Sequence, residues 1–413
     1  MRVEVTLSLL LGVLLSPFLP VGYWTEVAAL LVCLLLSYYF FAKNINIKGI
    51  LLLGVFSFGL SYPKLRIYLS PHAKGKPEVS AYVRKAEQSL EQTQLSAEHQ
   101  RLLGAMLLGD RKGLGKEQKA LFQQAGAQHL LALSGFHLGV LVSILSFLLL
   151  QRVRFSRWRW LVLLATLFLL WWYAVMVGLP MSLLRATMMY TLFLIGNFSN
   201  RSTCKYEILS STVFLMLLFD PQCAYDVGAQ LSVMAMVGLT VFAPNLQSIF
   251  EVPDSAGQYV PPRFPLLQLV WRYFCYSLSA WLFTMPLVMF YFGQLQVWQP
   301  VVNTFLVIFV SFMLYSAVLL LFLCLCGLPL LADPVSLVVE KLMSAFDWML
   351  YLSSSLPMST LKLQAVSLPI VVLMYAIFAM LGIALANRSA RVLVASTISC
   401  AILLALMALL TDY

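Results

Sequence analysis

From His129 the chain runs apolar for twenty-two residues, HLLALSGFHLGVLVSILSFLLL, long enough to cross the hydrocarbon core of a bilayer as a helix. Comparable runs lie at about 5 to 22, 24 to 42, 49 to 62, 158 to 179, 182 to 199, 206 to 220, 225 to 243, 268 to 292, 300 to 326, 331 to 355, 365 to 387 and 391 to 410, making thirteen. With 61% hydrophobic and only 11% charged residues over 413 positions, a water-soluble fold is excluded. The sequence therefore predicts an all-α polytopic membrane protein, since lipid offers no partner for backbone N–H and C=O groups and each span must satisfy its own.

Loop charges orient the spans. The connection QRVRFSRWRW, from Gln151 to Trp160, holds Arg152, Arg154, Arg157 and Arg159, and short loops this basic stay in the cytoplasm. Counting outward from it places the N-terminus inside, the C-terminus outside and the polar segment 63–128 on the outer face. Four regions follow: three spans over 1–62, an extracytoplasmic helical segment over 63–128, a core over 129–330 and terminal spans over 331–413. The net charge of +10 is weak evidence for a nucleic-acid partner, because insertion alone enriches Lys and Arg in membrane proteins. Seven scattered cysteines without a CxxC spacing, and no HExxH, indicate neither a disulfide framework nor a metal site. The segment GDRKGLGKE lacks the spacing of a phosphate-binding loop, so no cofactor is expected.

Polar groups inside apolar runs are the candidate functional residues, because each must face another helix or water. His129 and His137, about 12 Å apart along a straight helix, cannot chelate one metal, and are either buried hydrogen-bonding imidazoles or, for His137, the lining of an aqueous path. Ser134, Gly135 and Gly139 allow close helix packing; the alternative is a break at Ser134 and Gly135 that exposes backbone amides. Arg185, alone in MSLLRATMMYTLFLIG, costs about 2.5–3.5 kcal/mol near mid-membrane and needs Asp226, Asp220, water or a phosphate beside it. Asp226 and Gln230 share a helix face, with Asp226 placed to cap that helix. Asp333, Glu340 and Asp347 form an acidic stripe that suits a helix turned toward other helices or lying in the interface.

Four stretches carry a resemblance. LLGDRKGL with HLLALSGFHLGVL, then MSLLRATMMY, LLFDPQCAYDVGAQLS and MPLVMFYFGQLQVWQPVVNTF resemble, in order and spacing, the competence domain of the ComEC family over roughly residues 100–330. The resemblance implies a bacterial inner-membrane channel through which transforming DNA enters as a single strand. It favours the reading in which His137 lines an aqueous path, and the expected path for DNA takes in Ser134, Gly135, His137, Arg185, Asp226 and Gln230. Many relatives carry an oligonucleotide-binding-type β-barrel, for which the roughly forty residues from 63 to 101 are too few. Full-length relatives end in a metallo-β-lactamase-like domain, and no histidine follows His137 to build one, so both domains are expected to be missing and no nuclease activity is expected.

Energetics adds a partner. Each phosphate charge moved toward a negative interior is opposed by about 2.3 kcal/mol per 100 mV, and the chain has no nucleotide-hydrolysing motif. A cytoplasmic motor or strand-capturing protein is therefore expected, with surface DNA receptors and a nuclease on other chains. The pore could lie within one chain or between protomers of a homo-oligomer. Two readings from other classes compete: a membrane-embedded enzyme acting on lipid or glycan through Asp220, Asp226 and His137, and a small-solute permease.

Overall fold

The computed structural model describes residues 3–15, 81–109, 113–131, 133, 135–145, 156–198, 204–250, 252–253, 259–260, 264–357, 359–362 and 366–386. The expected spans at 24–42, 49–62 and 391–410, together with Arg152, Arg154 and Ser134, lie outside them. In chain order the helices are α1 (Val3–Leu15), α2 (Ala81–Glu91), α3 (Ala97–Leu108), α4 (Lys116–Gln124), α5 (Gln128–Leu131), α6 (Gly135–Leu145), α7 (Ser156–Met176) and α8 (Met181–Phe198). They continue with α9 (Lys205–Phe219), α10 (Val227–Val237), α11 (Ala243–Gln247), α12 (Pro265–Phe292), α13 (Gln299–Leu325), α14 (Pro329–Ser354) and α15 (Leu368–Ala386). A π-helical turn, Gly238–Phe242, joins α10 to α11 without a break.

Among the described residues, Val227–Gln247, Pro265–Phe292 and Gln299–Leu325 are long and apolar enough to cross a membrane. Apolar residues left exposed support that setting: α7 presents Leu161, Leu164, Phe168, Trp172 and Val175 outward at helical spacing. A continuous apolar face of this kind is stable against lipid and not against water. α14 stands apart from the three long apolar helices, because Asp333, Glu340, Lys341 and Asp347 interrupt its apolar character.

The chain divides into two compact units. The first comprises Met1–Glu78, Leu149–Trp171 and Leu184–Val233. Within it α1 packs on α9, where the Thr6 hydroxyl donates to the Ser210 carbonyl at 2.9 Å. Trp171 Nε1 donates to Thr191 Oγ1 at 3.1 Å, and that hydroxyl donates in turn to the Thr187 carbonyl at 2.7 Å. Intrahelical Thr bonds of this type let a hydroxyl sit in an apolar helix without an unsatisfied donor.

The second unit comprises Val79–Leu148, Trp172–Leu183 and Met234–Tyr413. Its axis is the hairpin of α13 and α14, closed by Gly327 at φ +68°, a left-handed value that a side chain resists. Among the buried residues of α13, Asn303, Leu306, Val310, Met313, Ala317 and Leu320 recur in steps of three and four, as do those of α14 (Ala332, Ser336, Val339, Met343, Phe346, Leu350, Ser353). That spacing is the heptad pattern by which two helices bury a shared seam. Around the seam lie the short amphipathic helices: α2 packs on α13, α4 on α14, and Phe122 meets Phe346 with ring centroids 5.7 Å apart. A smaller core gathers Phe242, Phe283, Met289, Met374 and Phe378 between the π turn, α12 and α15.

Two 3-10 turns, Pro221–Ala224 and Ser248–Phe250, and two antiparallel ladders of two residues each complete the described structure. One pairs β1 (Val252–Pro253) with β2 (Tyr259–Val260); the other pairs β3 (Gln294–Leu295) with β4 (Leu361–Lys362).

Candidate functional site

The expected site residues fall in both units, and each group is described in its own. Arg185, Asp226 and Gln230 belong to the first; Gly135 and His137 belong to the second; Ser134 lies outside the described residues.

Arg185 sits in the second turn of α8 and is 5% exposed. Its Nη2 donates to the Gly228 carbonyl at 3.0 Å. Nε and Nη1 are buried and have no partner among the described residues. The Asp226 carboxylate acts on the guanidinium through its charge, without forming an ion pair among the described residues. Asp226 is instead engaged as the cap that its position predicts: Oδ2 accepts from the Ala229 amide at 2.7 Å. Gln230 Nε2 donates to the Ala224 carbonyl at 2.8 Å, and Asp220 Oδ1 accepts from the Gln222 amide at 3.3 Å. The local fold of 220–230 thus uses its polar side chains to hold the turn between α9 and α10, and it points one carbonyl at Arg185. A buried cation with donors left over is costly, about 1–3 kcal/mol for each neutral donor and more for a charged one. An incoming oxyanion would satisfy those donors.

In the second unit, the long span expected from His129 is interrupted. α5 ends at Leu131, Leu133 is non-helical, and the helix resumes at Gly135 as α6. The interruption frees the Leu133 carbonyl from the helical ladder, and Ser182 Oγ donates to it at 2.7 Å. Leu133 is packed against Gly109, whose φ of +81° ends α3 in a left-handed cap; a Cβ there would stand 2.7 Å from Leu133 Cδ1. Tyr173 O–H secures the same end of α3 by donating to the Leu107 carbonyl at 2.7 Å. His137, two residues into α6, is 3% exposed on a helix that packs against α13.

These contacts join residues of the stretches quoted above. Gly109 from LLGDRKGL, Leu133 from HLLALSGFHLGVL and Ser182 from MSLLRATMMY meet at one point. Gly126, at φ +69°, is packed on the side chains of Gln296 and Gln299 from QLQVWQPVVNTF, while Trp281 Nε1 donates to the Gln296 carbonyl at 3.0 Å. In the first unit, Arg185 from MSLLRATMMY reaches Gly228 of DVGAQLS. Sequence reasoning missed Gly126 and Gly109, whose left-handed backbone and crowded surroundings are tertiary facts.

The acidic stripe of α14 also finds its partner. His99, on α3 and 8% exposed, bonds through Nε2 to Asp347 Oδ2 at 2.9 Å, and its Nδ1 lies 2.9 Å from Glu340 Oε2. Sequence reading flagged Asp333, Glu340 and Asp347 but not His99. The signal available was an imidazole at the head of the apolar stripe Leu102, Leu103, Met106. No group of three or more His, Cys, Asp and Glu among the described residues is arranged to hold a metal ion.

Comparison with known proteins brings these stretches under one description. A family model described as "Competence protein" matches residues 106–388. The chain is similar to "ComE operon protein 3" of Bacillus subtilis (strain 168), with 29% identity over 216 residues, 51% of this chain and 25% of the relative. The match therefore spans a quarter of that relative's length. No solved structure matches the chain.

Proposed function

Because the chain belongs to the ComEC family of competence proteins, we propose that it is a membrane conduit passing single-stranded DNA into the cytoplasm. The observation that carries this reading is Arg185: a buried guanidinium on an apolar helix, tethered by one bond to Gly228, with two donors left for an anion. Phosphodiester oxygens are the acceptors such a group suits, being anionic and repeated at every nucleotide. We place the protein in the bacterial inner membrane with thirteen spans, N-terminus inside and C-terminus outside. It works as a carrier of strand and not as an enzyme, so force and strand cleavage come from a cytoplasmic motor or strand-capturing protein and from receptor and nuclease chains outside. The engagement of Asp226 and Asp220 as backbone caps weighs against the competing reading in which they do acid–base chemistry on lipid or glycan.

Transformation assays test the proposal. Arg185→Ala is expected to abolish uptake of labelled DNA into the cytoplasm, with DNA bound at the cell surface and protein level unchanged. Normal transformation in that variant would remove Arg185 from the path. A strain lacking the protein is expected to leave labelled DNA outside and its lipids unaltered. Altered lipids would favour the enzyme.

A further inference from the structure

The His99 cluster plays no part in the proposed path, and its geometry makes a demand of its own. Ionised carboxylates only accept hydrogen bonds, so the Nε2 bond to Asp347 calls for a proton on Nε2, and Nδ1, 2.9 Å from Glu340 Oε2, is favourably placed only when it too is protonated. The contact to Asp347 is a directed hydrogen bond; that to Glu340 is an ion-pair contact off the hydrogen-bond axis. Glu340 Oε2 also accepts from the Ser96 amide at 3.2 Å, so one carboxylate caps α3 at its N-terminus and pairs with its third residue. Every tie is between α3 and α14, elements 240 or more residues apart in sequence.

We propose that His99, Glu340 and Asp347 form a proton-operated latch: the imidazolium clamps α3 onto α14, and loss of its proton loosens α3 from the α13–α14 hairpin. The inference rests on this geometry and stands whether or not the conduit reading is right.

The charges around the ring set the working range. Glu340 and Asp347 come from α14, which also carries Asp333 and the exposed Lys341; Glu98 on α3 acts on Asp347. α2 brings Arg84, Lys85, Glu87 and Glu91, α4 brings Lys116, Glu117 and Lys119, α5 brings His129, and α13 offers only Tyr315 and Cys324. Of all these, Glu340 and Asp347 are the groups that act on His99. Burial by itself pulls the imidazole's proton affinity down, but bonding and charge from the two carboxylates outweigh it, and the His99 pKa is raised above its ordinary 6.5. For a raised histidine the stabilisation is complete below 6.5 and is lost as pH climbs through the raised value. At the acid end, protonation of the carboxylates removes the other half of the clamp. The latch is therefore closed below the raised His99 value and above the range in which the two carboxylates take up protons.

Hydrogen exchange of the full-length protein in detergent tests this, following the amides of 97–108 and correcting for the intrinsic effect of pH. Opening of α3 is expected to be severalfold greater at pH 8.5 than at pH 6 in the wild type. His99→Gln is expected to show the open level at every pH. An equal corrected rate at both pH values in the wild type, or a transition that survives in His99→Gln, overturns the proposal. Asp347→Asn provides the check if His99→Gln fails to fold: losing one carboxylate must move the midpoint to lower pH, and an unmoved midpoint overturns the latch.

Discussion

Arg185 and Asp226 differ in what surrounds them. Sequence reasoning offered Asp226 as an ion partner for Arg185 or as a helix cap. The structure uses it as the cap, and gives Arg185 the carbonyl of Gly228, two residues along. The residue types and their closeness in the membrane were readable, because a lone cation in an apolar run must find a partner somewhere. Which acceptor it would find was not, because a backbone carbonyl is present at every position and leaves no mark in the sequence. If Asp226 is a cap, Asp226→Asn keeps the acceptor oxygen and is expected to retain stability and transformation. Asp226→Ala is expected to lose about 1 kcal/mol of stability, read as a lower thermal midpoint in detergent. Loss of transformation in Asp226→Asn with an unchanged midpoint would assign the carboxylate a direct part in transport.

Helices and their junctions were legible to different degrees. Apolar length predicted α8, α9, α12, α13 and α14 to within about three residues at each end, since a run of apolar side chains has no other stable form in lipid. Junctions inside such runs were harder. The break between α5 and α6 occurs in a stretch whose composition stays apolar, and what sustains it is the hydroxyl of Ser182, fifty residues away, on the Leu133 carbonyl. The π turn at Gly238–Phe242 is a similar case. A Cβ on Gly238 would stand 2.3 Å from the Ser279 carbonyl oxygen, so this helix touches the backbone of α12 directly. Gly238→Ala must push α12 away and disturb the Phe242–Phe283 packing beside it, whose ring centroids are 5.9 Å apart. We expect a loss of about 1–3 kcal/mol, measured as reduced resistance to denaturant. A neutral result would mean that α12 can shift freely at Ser279.

For the molecule as a whole, orientation is the property that loop charges decide and that helix packing does not. The proposed topology predicts that alkaline phosphatase, active only after export, works when fused after Tyr413 and stays inactive when fused within the Gln151–Trp160 loop. Activity from the loop fusion would invert the assignment. The sequence by itself determined the class of the protein, its helical character and its family, because hydropathy and motif order are properties of a line of residues. Tertiary structure alone decided that His99 meets Glu340 and Asp347 of α14, that Gly109 and Gly126 hold left-handed turns under crowded side chains, and that Arg185 Nε and Nη1 are left without a partner among the described residues. Each of these depends on groups between about twenty-five and 250 residues apart meeting in contact, and chain folding sets such meetings where composition cannot.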